Sequence, residues 1–171
     1  MAITKVTGAM LGNYTGGSAD DTVVVGDGAG VAITTGVDNT ILGDSAGAAL
    51  TEGSSNTLIG HLAGDAITTV SFITAVGEKA LSANTSGQKN TAIGRAALQS
   101  ITSQDNNTAV GYNTLSGGSN TGGNNTAIGS DALSGNTTGD NNVALGYNAL
   151  ALNTTASSNV AIGRGALDAT T

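Results

Sequence analysis

Aliphatic and polar positions along this chain follow each other in short words that return at a fixed distance. NNTAVGYNTL occupies residues 106–115, NNTAIGSDAL 124–133 and NNVALGYNAL 141–150. Aligned on the glycine of each AIG-like word, the repeat runs through Gly26, Gly43, Gly60, Gly77, Gly94, Gly111, Gly129, Gly146 and Gly163. Of the eight intervals, seven are 17 residues and one is 18. The extra residue falls within YNTLSGGSNTGGNN, a polar, glycine-rich stretch of the kind that surface loops absorb. A period this regular decides the architecture before any single motif does.

The columns of the repeat are consistent. An aliphatic residue precedes the glycine each time: Val25, Leu42, Ile59, Val76, Ile93, Val110, Ile128, Leu145 and Ile162. Three positions before the glycine stands Thr or Val. Four before it stands asparagine in seven of nine repeats: Asn39, Asn56, Asn90, Asn107, Asn125, Asn142 and Asn159. A 17-residue unit is too short for a helical hairpin. Thr, Val and Ile at alternate positions favour a strand. One strand, a glycine turn, a second short element and a polar return make one coil of a parallel β-roll or β-helix solenoid. About nine such coils, spaced like neighbouring strands, give an all-β rod on the order of 40 Å long. The aliphatic column is expected to line the core, and the asparagines to stack as amide ladders.

Two further columns exchange volume. The position two before the glycine and the position four after it carry Val24 with Gly30, Ile41 with Gly47 and Leu58 with Gly64. The other six repeats pair alanine with leucine, as in Ala92 with Leu98 and Ala127 with Leu133. Close packing penalises both voids and overfilling, so the exchange predicts that these columns share space. Alternate strand residues face opposite sides, yet here neither side is charged. One face is therefore expected to meet the chain's own core and the other a neighbouring subunit; the pattern leaves open which is which.

Composition narrows the function classes. Of 171 residues 27 are glycine, none is proline, tryptophan or cysteine, and aromatics make up 2%. The apolar content is thus small and aliphatic, and disulfides are excluded. A net charge of −7, with Lys5, Lys79, Lys89, Arg95 and Arg164 as the only cations, has the wrong sign for gripping phosphates. No nucleic acid is expected as a partner. The start, MAITKVTGAMLGNYTGG, lacks the apolar segment of a secretory signal. No stretch reaches the roughly 20 apolar residues of a membrane helix, so no membrane is expected either.

In NNTAIGSDAL, NNVALGYNAL and SNVAIGRGAL the sequence resembles the NSVAIG-like head repeats of trimeric autotransporter adhesins, which occur also in bacteriophage fibre and virion-surface proteins. The resemblance spans about residues 20–168. It implies a left-handed β-roll with three chains packed into a homotrimer. The unit here is longer than the usual adhesin repeat, and no heptad stalk or secretory signal accompanies it. A virion component, assembled in the host cytoplasm and carried on the capsid or tail surface, is the expected reading. A head fragment of a secreted adhesin is one alternative, and an ice-binding solenoid is another. ITKVT resembles the short segments by which some phage fibres attach to their particle. Residues 1–19 are accordingly expected to cap the roll or attach to other virion proteins, with Ile3, Lys5, Val6, Met10 and Leu11 as the candidate attachment residues. Residues 20–168 would form the repeat domain and 169–171 a tail. Host surface glycan or another receptor is the expected distal partner.

No enzyme, metal or cofactor is expected. The single histidine, His61, stands in a variable position just after a repeat glycine and lacks a second ligand or nucleophile. Asp20, Asp21 and Asp27 match neither an EF-hand loop nor the calcium-binding nonapeptide repeats and are expected to be a charged cap at the first coil. An ice-binding solenoid would need a flat threonine array. Here the strand threonines give way to Val143 and Val160, as half-buried packing would require.

Overall fold

The computed structural model describes residues 21–118 and 121–168. Nine three-residue strands run from β1 (Val23–Val25) through β2 (Thr40–Leu42), β3 (Thr57–Ile59), β4 (Thr74–Val76), β5 (Thr91–Ile93), β6 (Thr108–Val110), β7 (Thr126–Ile128) and β8 (Val143–Leu145) to β9 (Val160–Ile162). They form one parallel sheet in chain order. Each repeat stacks on the next column by column: Thr91 on Thr108, Ala92 on Ala109, Ile93 on Val110. The expected all-β solenoid with one coil per repeat is what the chain forms. The expected attachment residues and the cap at 1–19 lie outside the described residues.

Only one side of each coil is strand; in place of the second element the chain makes a run of tight turns. Left-handed backbone at the second and fourth positions after the glycine, for example Lys79 (φ 57°) and Leu81 (φ 54°), bends it too sharply for a strand. Hydrogen bonds still run rung to rung, from Leu81 N–H to Ala97 O (3.0 Å) and from Thr85 N–H to Thr102 O (2.8 Å). Main-chain groups are thus paired on both sides of the coil.

The core corrects one expectation. The column just before the glycine (Val25, Leu42, Ile59, Val76, Ile93, Val110, Ile128, Leu145, Ile162) does not line this chain's interior; it points outward, half-buried or exposed. The interior belongs to the column one residue earlier, Val24, Ile41 and Leu58 followed by alanines, and to the position four after the glycine. Alternation requires that if one column is inside its neighbour is outside. The small residue won because the opposing leucine fills the coil. Leu81, Leu98, Leu115, Leu133 and Leu150 are fully buried although their φ lies between 51° and 54°. Left-handed backbone costs a leucine about 1–2 kcal/mol, while burying its side chain returns about 1.5–3 kcal/mol. Where the opposite column is already large, glycine takes this position: a Cβ on Gly64 would lie 2.8 Å from Leu58 Cδ2. The two columns do share space.

The repeat glycines are fixed by stacking. Gly94 has φ 132°, and a Cβ there would overlap the carbonyl of Gly111, its counterpart one rung on. The same overlap recurs along the column up to Gly146; Gly163, in the last described rung, has nothing within 4 Å.

The asparagine column forms the expected ladder. Asn125 N–H donates to Asn107 Oδ1 (3.0 Å), and Asn142 N–H donates to Asn125 Oδ1 (2.9 Å). The amides from Asn39 to Asn142 also cross the coil, as Asn125 Nδ2 does to Gly139 O (2.9 Å), whereas Asn159 Nδ2 donates to Asn142 Oδ1 (3.1 Å). Ile73 interrupts the ladder, its N–H donating to Asn56 Oδ1 (2.9 Å). A second set of buried asparagines lies seven positions after the glycine. Asn84, Asn136 and Asn153 replace the Ile33, Leu50, Ile67 and Ile101 of other rungs. Asn84 and Asn136 each clip the residue three further on, with Gly87 N–H to Asn84 Oδ1 at 2.9 Å and Gly139 N–H to Asn136 Oδ1 at 3.1 Å.

Candidate functional site

The outward face of the sheet is the most extended uncharged surface of the described residues. Along the strands, positions three and one before each glycine point outward together. They are Val23 and Val25 in β1, Thr91 and Ile93 in β5, Val160 and Ile162 in β9, with equivalent pairs in every rung between. No charged side chain stands among these eighteen positions, two in each of nine strands. Leu42, Ile93, Ile128 and Leu145 are 40–45% exposed, and Val23, Val160 and Ile162 more so. Flanking threonines such as Thr74 and Thr108 are half-buried between the rungs. Eight rung spacings by six residues of strand and shoulder measure roughly 38 Å by 20 Å. That is on the order of 760 Å², close to the ~800 Å² per partner of a standard stable interface.

Charge sits on the shoulders. Just after the glycine, residues of successive rungs stack on one another. His61 Nε2 lies 3.7 Å from Asp44 Oδ2 and Arg95 Nε 3.2 Å from Glu78 Oε2. Arg95 also lies over the Tyr112 ring, 5.7 Å from its centroid, and Arg164 over Tyr147 at 5.6 Å. These solvent-exposed pairs stabilise little individually. They do place His61 on a solvated stripe, the setting its sequence position suggested.

The turn side carries a column that the sequence analysis passed over. Thr34, Thr51, Thr85, Thr121 and Thr137 each donate a hydroxyl to the threonine carbonyl of the next rung, at 2.8–3.2 Å. Aligning the repeat beyond its fourth position would have shown them. An open groove of about 460 Å³ lies on this side between Leu62, Asp65, Lys79, Ser82 and Gln99. Burial pushes the Asp65 carboxyl above its ordinary value, and its Oδ1 has no hydrogen-bond partner. Among the described residues no three His, Cys, Asp or Glu side chains are grouped to hold a metal ion. No described helix is long and apolar enough to cross a membrane.

No family model matches the chain, and neither the curated proteins nor the solved structures compared with it gave a match.

Proposed function

We propose that this chain is a non-enzymatic structural protein that works as a homotrimeric rod on a bacteriophage particle, as a short fibre or a capsid-decorating protein. The observation that supports it best is the uncharged outer sheet face, which runs through all nine rungs. A single-chain coil has no use for a stripe of aliphatic side chains outside its own core, and the three-residue strands alone, roughly 10 Å wide by 38 Å long, present an uncharged patch of a size that is often an interaction surface. Three copies with these faces turned to a common axis would bury all of them at once. The acidic, polar turn side would then form the outer surface, where host glycans could be met. The phage setting rests on the resemblance of the repeat words to virion-surface proteins.

Light scattering after size exclusion tests the assembly. The expected mass is near three times 16.4 kDa, falling to one chain when Ile93 and Ile128 are both replaced by lysine. A stable monomer of the unsubstituted chain would overturn the trimer. Labelling of purified particles with antibody to the rod tests the virion role. A trimer found on a bacterial surface and not on particles would favour the adhesin head instead.

The exposed threonine column favours a second reading, an ice-binding solenoid, because its hydroxyls repeat at the rung spacing. That reading predicts thermal hysteresis from the pure protein. The hydroxyls' engagement with the next rung's carbonyls leaves them less free to order water and weighs against it.

A further inference from the structure

The two shoulders of the outer face differ, and their difference bears on how copies of the chain meet. Five residues before each glycine lies the leading shoulder, with Asp21, Asp38, Phe72 and Lys89 among serines and asparagines. On the trailing shoulder, just after each glycine, stand Asp27, Asp44, His61, Glu78, Arg95 and Tyr112 in the first six rungs. When identical sheets surround an axis, all strands circulate in one sense. The trailing shoulder of one copy therefore adjoins the leading shoulder of the next.

Suppose equal rungs lie level. Asp27 then faces Asp21 of the neighbouring copy, Asp44 faces Asp38, and Arg95 faces Lys89. That gives three like-charge contacts and no opposite pair. It also sets the Glu78 carboxylate against Phe72, a ring 65% exposed in the single chain. Like charges brought together at an interface count heavily against a pairing. A displacement of one rung removes all three of these repulsions and brings one new Asp–Asp contact, Asp27 with Asp38 or Asp44 with Asp21, according to its direction. In one direction Glu78 comes to Lys89. In the other, Lys89 comes to Tyr112, Arg95 to Phe72 and His61 to Asp38. Cations over exposed rings are favourable contacts.

We infer that neighbouring copies pack one rung out of level, so that Lys89 of each chain meets the shoulder of an adjacent rung and not Arg95. The inference rests on the trimer proposed above. Cyclic symmetry allows the displacement if the strands incline to the plane perpendicular to the rod axis. One rung of about 4.8 Å across a face about 20 Å wide needs an inclination of about 13°. Each chain then hands its rung to the next copy one step along the rod.

Disulfide trapping in the full-length chain separates the possibilities. The chain has no cysteine, so only introduced pairs can form a bridge. Lys89→Cys is combined in turn with Glu78→Cys, Arg95→Cys and Tyr112→Cys, all at solvent-accessible shoulder positions. A disulfide needs Cα atoms about 4.4–6.8 Å apart. Within one chain the shoulders stand about 20 Å apart, so a bridge reports a neighbouring copy. The expected result is covalent trimer from the 89/78 or the 89/112 pair, at least ten-fold more than from 89/95. Fastest closure of 89/95 would overturn the inference, as would no closure of any pair in variants that light scattering shows to be trimeric. A monomeric mass for the unsubstituted chain would instead remove the trimer on which it rests.

Discussion

Leu58 occupies the space that a side chain on Gly64 would need, its Cδ2 lying 2.8 Å from a Cβ built there. Two rungs further on, the same two columns hold Ala92 and Leu98, with Ile101 beside them where Ile67 stands beside Gly64. The coil accepts either distribution of volume but not two large residues or two small ones. Leu58→Ala is expected to cost about 2–5 kcal/mol through the cavity left. Gly64→Leu is expected to cost about 2–5 kcal/mol from overpacking and left-handed backbone together. The double variant is expected to be more stable than either single one. Denaturant unfolding of all four proteins measures this, and simple additivity would disprove the shared space.

The stacking glycines yield a comparison between two chemically identical substitutions. Gly94→Ala meets both the strain of φ 132° and the Gly111 carbonyl, so a loss of at least about 3 kcal/mol is expected. Gly163→Ala carries the backbone strain but meets nothing within 4 Å, and about 1–3 kcal/mol is expected. Equal losses in thermal or denaturant unfolding would mean that the overlap with the next rung is not what fixes the glycine.

Asn125 holds three rungs together, through Asn107 Oδ1, Asn142 N–H and Gly139 O. Asn125→Leu keeps the approximate volume but strands a buried donor and a buried acceptor. With about 1–3 kcal/mol for each unsatisfied group, a loss of roughly 2–4 kcal/mol is expected. Amide hydrogen exchange at Asn142 should accelerate more than at Thr91, two rungs away. Uniform acceleration would show that the ladder acts only through global stability.

Asp65 makes stability depend on pH. Burial raises its carboxyl above the ordinary 3.8 in the folded chain, with its own backbone, His61 and Lys79 opposing the shift. A raised folded value means that the native state holds the proton more tightly than the unfolded chain does. Its contribution to stability therefore falls as pH rises through that window and stays lowered at neutral pH. Asp65→Asn is expected to raise the melting temperature at pH 7 and to leave it unchanged well below pH 3.8. A melting temperature that falls at pH 7 would show that the carboxylate makes a stabilising contact.

How much of this was legible beforehand varies by column. Nine glycines at near-constant spacing disclosed the rungs, and Val, Ile and Thr in alternation disclosed the strand. Which face pointed inward was not legible, because Thr91 and Ile93 on one side and Ala92 on the other are all uncharged. Size settled it: Leu98 enters the coil from the turn side and leaves room opposite for alanine only. The exchange between Leu58 and Gly64 was readable because both members recur together. The buried asparagines at 84, 136 and 153 were hidden by sharing a column with Ile33, Leu50 and Ile67. Hydrophobicity varies in that column although burial does not. The turn-side threonines were legible, eight positions after the glycine at Thr34, Thr51, Thr68, Thr85, Thr102, Thr137 and Thr154, and the inserted residue displaces one rung only. In the rung of Gly111 the threonine comes at Thr121, two positions later than in the rungs of Gly94 or Gly129.

The rung-by-rung hydrogen bonding also bears on how the molecule is made. Strand pairing joins residues 17 or 18 positions apart, and among the described residues no strand pairs with any but its sequence neighbours. A chain leaving the ribosome can therefore lay each new coil on a finished template, closing the same short loop every time, without waiting for distant segments. Growth of this kind resembles crystallisation along one dimension more than collapse around a centre. Its hard step is the first layer, and every later layer is a copy of the one before.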